Sequence, residues 1–215
     1  MGKSLTMAAR RLFLIRHGQY DEREEGTKDL TATGRAQAKR VGRALRHEQV
    51  DAIYASTMLR ARTTAALIAE ERDPGDNKML VQSTELLCEC VPTKIGFYIP
   101  PSTILEGKNQ ADRAFARFFK KTKTTRTELI VCHGNIIRYL VTKALGLPPL
   151  AWRKMAIFHA SMTEIRIHSD GRAILFSYND VGHLPRKLRT MSGAAPKALE
   201  KLTKASIAKN SKPES

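Results

Sequence analysis

The chain has 215 residues, 42% of them hydrophobic, and a formal net charge of +16 at pH 7. This length suits one domain with a full core, and no apolar run reaches the ~20 residues that a membrane-spanning helix needs. The three cysteines, Cys88, Cys90 and Cys132, lack the spacing of a disulfide framework. They therefore argue against a disulfide-stapled secreted fold and predict a reduced, cytoplasmic location.

In chain order, the hydrophobic periodicity and the turn-forming residues predict alternating strands and helices. Strands are predicted at 12–15, 50–55, 129–132, 162–168 and 172–178, and helices at 30–46, 56–72, 111–121 and 136–145. Residues 88–110 contain three prolines and two glycines, so they are predicted to form a loop or cap. Asp170 and Gly171 predict a hairpin turn between the last two strands. The fold class that follows is α/β, in three α/β/α layers around a mixed, mostly parallel central sheet.

Two of the predicted strands end directly in a histidine. Arg16 and His17 follow the first strand, and His133 follows the strand at 129–132. Ligands in open α/β sheets bind beyond the carboxyl ends of the strands, and Arg60 lies at the start of a helix, where an anion is favoured. Arginine offers a fork of donors that suits phosphate oxygens, and a neutral histidine nitrogen can attack phosphorus. The combination predicts phosphoryl transfer through a phosphohistidine.

Four motifs, in order, resemble those of the histidine phosphatase, or phosphoglycerate mutase-like, superfamily. They are Leu-Ile-Arg-His-Gly at 14–18, Leu-Thr-x-x-Gly-x-x-Gln-Ala at 30–38, Ser-x-x-x-Arg-Ala-x-x-Thr-Ala at 56–65 and Cys-His-Gly at 132–134. The resemblance covers roughly residues 13–178. Within the superfamily, the segments at 132–152 and 172–182 are most similar to the members that act as serine/threonine protein phosphatases.

The resemblance implies roles for five residues. His17 matches the nucleophile that becomes phosphorylated, and Arg16 and Arg60 match the side chains that hold the phosphoryl oxygens. His133 matches a second histidine of the phosphate pocket, expected to be cationic and to stabilise charge in the transition state. Glu89 matches the acid that protonates the leaving oxygen, a role that contributes on the order of 10²–10⁴ in rate. Neither a metal ion nor another cofactor is needed in this scheme.

Other titratable residues leave alternatives open. Glu85 lies one helical turn before Glu89 and could be the acid instead. The three cysteines lack the spacing of a structural zinc site, although their oxidation could regulate the pocket. The remaining histidines are predicted to fill surface or hydrogen-bonded polar positions; they are His47, His159, His168 and His183.

Departures from the mutase pattern favour a phosphatase over a mutase. Mutases carry an asparagine shortly after the Arg-His-Gly motif, whereas residues 19–23 here read Gln-Tyr-Asp-Glu-Arg. The mutases' substrate-gripping insertion also has no evident counterpart. The predicted substrate is a phosphorylated serine or threonine of a protein. The alternatives are a sugar or nucleotide phosphatase, or a scaffold that uses the pocket for binding only; assembly into a homo-oligomer is left open.

The positive charge is concentrated at the two ends of the chain. Residues 1–11 carry +3 and residues 186–215 carry +6. The charge therefore divides the chain into a basic N-terminal segment (1–11), a catalytic domain (12–185) and a basic tail (186–215). The tail is expected to be disordered or to form a transient basic helix. Basic ends can hold an anionic membrane surface, and no specific nucleic-acid partner is predicted. Gly2 and Thr6 fit an N-myristoylation pattern that would add peripheral membrane attachment, while a mitochondrial location is implied by the resemblance alone.

Overall fold

The computed structural model describes residues 10–21, 28–75, 79–93 and 98–192. The myristoylation pattern at Gly2 and the tail beyond residue 192 lie outside these ranges. In the described residues the strands are β1 (Arg10–Arg16), β2 (Ala52–Ser56), β3 (Val81–Thr84), β4 (Arg126–Cys132), β5 (Met162–Ile167) and β6 (Ala173–Asp180). The α-helices are α1 (Ala32–Ala44), α2 (Leu59–Arg72), α3 (Pro101–Phe118) and α4 (Gly134–Ala144). Short 3₁₀ turns lie at Glu85–Leu87, Ala151–Lys154 and Arg186–Leu188.

The six strands form one mixed sheet in the order β3-β2-β4-β1-β5-β6. The pairs β1–β4, β4–β2 and β2–β3 are parallel, whereas β5 pairs antiparallel with both β1 and β6. Strands β5 and β6 are joined through Gly171, whose φ of +94° lies in the left-handed region that favours glycine. The predicted hairpin turn is therefore confirmed.

Successive side chains of β1 enter two different hydrophobic cores. Leu12 and Leu14 pack among residues of α3 and α4, whereas Phe13 and Ile15 pack among residues of α1 and α2. A parallel strand that is covered on both faces reads as a continuous apolar run, which is why the run in β1 does not alternate with polar residues. Helices thus cover both faces of the sheet, and the predicted three-layer α/β/α fold is confirmed.

The second half of the predicted loop at 88–110 is wrong, because α3 begins at Pro101. Proline is favoured in the first turn of a helix, where its missing N–H has no intrahelical partner and its fixed φ suits the helix. Gly107 is buried within α3, and a Cβ there would lie 2.9 Å from the Val91 carbonyl oxygen. The residues interpreted as helix breakers therefore start the helix and allow its close contact with the preceding segment.

The packed part of the chain extends past both ends of the 12–185 range expected from the charge distribution. Arg10 and Arg11 belong to β1, where Arg10 pairs with the buried carboxylate of Glu128 and Arg11 with that of Glu164. At the other end, the segment that follows residue 185 forms a 3₁₀ turn and then contacts the domain. Two of the basic residues assigned to the basic N-terminal segment are thus structural.

Candidate active site

The parallel pairing of β1 with β4 places the two strand-end histidines side by side. Arg16 lies opposite Cys132 in the register, so His17 and His133 follow at the same edge of the sheet. Their ring centroids are 4.9 Å apart, and their exposed fractions are 2% and 0%. The sheet register therefore brings together two residues that are more than 100 positions apart in the chain.

The turn after His17 packs directly against the start of α1. A Cβ on Gly18 would lie 2.5 Å from the Gly34 carbonyl oxygen, and one on Gly34 would lie 2.0 Å from the Gln19 carbonyl oxygen. The Gly18 N–H donates to Thr64 Oγ1 at 3.0 Å. Glycine is required at both positions because any side chain would push the turn away from α1. These contacts fix the backbone that carries His17.

Hydrogen bonds set the tautomer of His17. Its Nδ1 lies 2.8 Å from the Gly18 carbonyl oxygen, which can only accept, so the ring proton is on Nδ1. Nε2 therefore holds a lone pair and accepts the Arg60 Nε–H at 3.3 Å. Burial, helped by His133 and Arg16, keeps the pKa of His17 well below its usual value of 6.5. His17 is thus neutral at physiological pH, with a nucleophilic nitrogen directed at a guanidinium.

The two predicted arginines approach this ring from β1 and from α2. Arg16 donates from Nη1 to the Ile157 carbonyl oxygen at 2.9 Å and from Nη2 to Ser192 Oγ at 2.6 Å. The guanidinium carbon of Arg60 lies 4.6 Å from the centroid of the Tyr20 ring, a cation–π contact. Both guanidinium groups are therefore held in place before any anion binds.

His133 is neutral in this structure, so the expectation that it is cationic is wrong for the unliganded pocket. Its Nε2 lies 2.9 Å from Ser56 Oγ, and its buried Nδ1 has no hydrogen-bond partner among the described residues. Burial, together with the positive charges of Arg60 and Arg16, lowers the pKa of His133 to about 2. A bound phosphate dianion would act in the opposite direction and raise the pKa of His133.

The structure places Glu89, and not the alternative Glu85, beside His17. Glu89 is partly buried and lines the same cavity of about 720 Å³ as His17 and Arg60. Glu85 is exposed and lines a separate surface depression. Only Glu89 can therefore reach a group that is bound next to His17.

The surroundings of Glu89 both raise and lower the pKa of its carboxyl group. Burial raises the pKa of its carboxyl above the usual 4.5. The backbone N–H groups of Asn135 and Cys90, each 3.2 Å from Oε1, and the nearby Arg16 and Arg138 partly offset this rise. A carboxyl group with a raised pKa is suited to donating a proton.

His159, Thr190 and Ser192 border the site, but the sequence patterns did not assign them to it. His159 is 3% exposed, its ring centroid lies 5.8 Å from that of His17, and burial lowers its pKa to about 3. Its Nδ1 lies 2.9 Å from Thr190 Oγ1 and its Nε2 lies 2.9 Å from Ser192 Oγ. The prediction that His159 fills a hydrogen-bonded polar position is confirmed, but that position borders the pocket, and Ser192 links it to Arg16.

The three cysteines are free thiols. Burial raises the pKa of Cys90 to about 12 and that of Cys132 still further, so both thiols stay protonated. Cys88 Sγ contacts the hydroxyls of Ser56 and Thr57. Across the part of the chain that the structure describes, no group of three or more His, Cys, Asp or Glu side chains is arranged to hold a metal ion.

The sequence and the fold both match known proteins. The Histidine phosphatase superfamily (branch 1) matches residues 12–91 and 102–180. Serine/threonine-protein phosphatase Pgam5, mitochondrial, from Drosophila willistoni is 36% identical over 198 residues, which cover 86% of this chain and 67% of that protein. The protein of the same name from Caenorhabditis briggsae is 36% identical, with coverage of 84% and 67%. The alpha-ribazole phosphatase from Shigella flexneri shares the fold, with a TM-score of 0.64 and 21% identity over 79% of this chain and 96% of that one.

The chain spans about two thirds of the length of the curated relatives that it matches. The family expected from the four sequence motifs is confirmed, and so is the resemblance to the serine/threonine protein phosphatases within it. The chain belongs to the Histidine phosphatase superfamily (branch 1).

Proposed function

We propose that the protein hydrolyses phosphoserine and phosphothreonine in proteins through a phosphohistidine at His17. The observation that carries the proposal is the state of His17: it is neutral, its Nδ1 is protonated, and its Nε2 lone pair faces Arg60 inside a cavity that Arg16 and Glu89 also line. The substrate class is supported by the names of the curated relatives.

The first step transfers the phosphoryl group to the enzyme. The phosphate oxygens bind the guanidinium groups of Arg16 and Arg60, which stabilise the charge spread over them in the transition state. His17 Nε2 attacks phosphorus, the bond from phosphorus to the ester oxygen breaks, and Glu89 gives its proton to the departing oxygen. A serine or threonine hydroxyl leaves, and Glu89 is left as a carboxylate.

The second step returns the enzyme to its starting state. The Glu89 carboxylate takes a proton from a water molecule as that water attacks phosphorus. The bond between phosphorus and Nε2 breaks, inorganic phosphate forms, and Glu89 is again protonated. The Gly18 carbonyl oxygen keeps the Nδ1 proton of His17 in place through both steps, so that Nε2 is always the nitrogen that reacts.

The cellular location of the protein does not follow from its catalytic mechanism. The matched relatives carry the word mitochondrial in their names, and no helix within residues 10–192, as far as these are described, is long and apolar enough to cross a bilayer. Peripheral attachment through Gly2 or the basic tail, and assembly into a homo-oligomer, stay predictions.

The proposal is tested by hydrolysis of p-nitrophenyl phosphate in the presence of EDTA. We expect turnover by the wild type and a loss of at least roughly a thousandfold in kcat for His17→Ala, because catalytic groups that act as a unit fail together. His47→Ala is the matched control, since His47 is exposed and does not line the cavity. A silent wild type would contradict the proposal and favour a scaffold. Faster turnover of sugar or nucleotide phosphates than of phosphopeptides would overturn the substrate class alone.

A further inference from the structure

We propose that Arg153 and Lys154 select phosphoserine and phosphothreonine peptides that carry acidic residues next to the phosphorylated side chain. This proposal rests on the proposed function, because it specifies which phosphoproteins would be preferred. It concerns the mouth of the cavity, which is the exposed rim that carries Arg153 and Lys154. The catalytic steps do not use these two residues.

Arg153 and Lys154 lie on an anchored turn beside the cavity. Arg153 and Lys154 are exposed side chains of the 3₁₀ turn Ala151–Lys154, and both line the cavity that contains His17. The turn is anchored by Trp152, which is 2% exposed and donates its indole N–H to Thr93 Oγ1 at 2.8 Å. The guanidinium carbon of Arg138 lies 4.8 Å from the centroid of the Trp152 ring. The backbone that carries the two charges is therefore anchored beside the cavity.

The other cations of the cavity are already engaged. Arg138 donates to the carbonyl oxygens of Gly134 and Met155 at 3.1 Å each and also to the side-chain oxygen of Asn135. Arg16 and Arg60 are buried beside the ring of His17, where the phosphate is expected.

Arg153 and Lys154, in contrast, form no side-chain hydrogen bond or ion pair with the described residues. The charged side chains that line the cavity comprise five cations and one carboxylate, Glu89. The mouth therefore carries positive charge that no anionic side chain of the described protein neutralises.

The chemistry of a phosphopeptide fits this distribution. When its phosphate lies on the floor of the cavity, beside Arg16, His17 and Arg60, the rest of a bound peptide extends out through the mouth. An extended chain advances about 3.5 Å per residue. Carboxylates one to three residues from the phosphorylated side chain thus lie within about 10 Å of it, where long basic side chains can pair with them. A small phosphomonoester has no such carboxylate, so the mouth should affect its hydrolysis less than that of an acidic peptide, and only through the charge of the phosphate itself.

The test compares substrates that differ only in flanking charge. Three phosphoserine peptides, flanked by Asp, Ala or Lys, are assayed beside p-nitrophenyl phosphate with the wild type and with Arg153→Glu/Lys154→Glu. The wild type should prefer the Asp peptide. The double reversal should lower kcat/KM for that peptide roughly tenfold, mainly through KM, because exposed pairs contribute modestly and two attractions become repulsions. It should raise kcat/KM for the Lys peptide, and both effects should shrink at high salt.

The matched control is Lys120→Glu/Lys121→Glu. These lysines are also adjacent and exposed, but the Lys120 carbonyl oxygen accepts from Arg10 at the opposite end of β1 from His17. An unchanged melting temperature of Arg153→Glu/Lys154→Glu shows that the variant is folded, and its loss on p-nitrophenyl phosphate should be smaller than its loss on the Asp peptide. The neutral variant Arg153→Gln/Lys154→Gln should give a smaller loss in the same direction.

The possible outcomes separate this proposal from the one on which it rests. If the wild type hydrolyses p-nitrophenyl phosphate but treats the Asp and Ala peptides alike, selectivity at the mouth is overturned and the phosphatase stands. Equal losses in the two reversal variants also overturn it. Weaker binding to phosphatidylserine vesicles with unchanged peptide selectivity would overturn it in favour of a membrane contact. If the wild type hydrolyses neither p-nitrophenyl phosphate nor any peptide, the proposed function itself fails.

Discussion

The floor and the mouth of the cavity use the same residue types under opposite conditions. On the floor, Arg16 and Arg60 are 7% and 6% exposed and are held by neighbouring groups, whereas Arg153 and Lys154 at the mouth are exposed to solvent. Buried charges need fixed partners to offset their desolvation, so the floor is organised before substrate arrives. Exposed charges are screened and act weakly. The floor is therefore suited to the chemistry, and the mouth to selection among substrates.

The histidines show the same contrast between buried and exposed positions. His17, His133 and His159 are buried near positive charges, which lowers all three pKa values, whereas His47 is exposed. A phosphate pocket with neutral histidines and cationic arginines can bind a dianion and still keep a nucleophilic lone pair. If His17 were charged, its Nε2 would carry a proton and no lone pair would be left for attack on phosphorus.

The largest effect expected in this comparison comes from removing the acid on the floor. Glu89→Gln keeps the size of the side chain but cannot give up a proton, so we expect kcat for phosphoserine peptides to fall on the order of 10²–10³. p-Nitrophenyl phosphate has a good leaving group, so its rate of phosphoenzyme formation should fall much less, whereas its kcat should also fall because Glu89 is the base of the second step. Glu85→Gln is the control and should leave both activities unchanged. Equal losses in the rate of phosphoenzyme formation from the two substrates would contradict the role of Glu89 as the acid.

The pH dependence of phosphoenzyme formation provides a second readout for Glu89. The acid acts when protonated, and burial raises its pKa above 4.5. The rate of the first step on phosphoserine peptides should therefore fall as the pH rises through that raised pKa. The acid limb should lie well below pH 6.5, because His17 stays neutral down to its lowered pKa. Rapid-quench measurement of the phosphoenzyme should show the alkaline limb in the wild type and not in Glu89→Gln.

The sequence predicts the parts of the floor that are encoded locally. An apolar run followed by Arg16 and His17 marks a strand end, and parallel pairing then places His133 alongside without further information. The charge of His133 could not be predicted, because it depends on burial and on Arg60, which lies on another element. Strand β3 was missed because it has only four residues and is partly exposed at the edge of the sheet, so it lacks a buried apolar run.

Long-range contacts account for the other residues that the sequence did not predict. Thr190 and Ser192 lie in residues 186–215, which were assigned to the tail because of their positive charge. No local periodicity connects these two residues to the site. Gln37 donates from Nε2 to the Leu188 carbonyl oxygen and to Thr190 Oγ1, so α1 fixes this segment across about 150 residues of chain. Such contacts follow from the completed fold and not from any window of the sequence.

A smaller effect is expected from loosening one arginine of the floor. Ser192 Oγ accepts from Arg16 at 2.6 Å, so Ser192→Ala should leave that guanidinium less well positioned. We expect KM for p-nitrophenyl phosphate to rise by roughly 3- to 10-fold, which is less than the full contribution of about 1.5–3 kcal/mol from a hydrogen bond to a charged group, because Arg16 keeps its bond to the Ile157 carbonyl oxygen. The value of kcat should stay within about twofold, since His17 and Glu89 are unchanged.

Steady-state kinetics with Ser102→Ala as the control would decide this prediction, because Ser102 is an exposed residue of α3 outside the cavity. A fall in KM would contradict positioning by Ser192. It would mean that the hydroxyl competes with phosphate for Arg16, and that residues 190–192 hinder substrate binding.

The smallest effect should appear in stability and not in turnover. His159 has a pKa of about 3 in the folded protein and about 6.5 when unfolded. Below pH 6.5 the unfolded chain binds more protons than the folded one, so stability falls as the pH decreases from 6.5 toward 3. His159→Gln should remove this share of the pH dependence, about 0.8 kcal/mol between pH 7.5 and pH 6. The measurement is the free energy of unfolding by urea at several pH values, where only the slope with pH matters. His47→Gln, a substitution at an exposed histidine outside the cavity, is the matched control. If His159→Gln keeps the wild-type slope, His159 already carries its proton in the folded protein, and the floor of the cavity is more highly charged than the structure indicates.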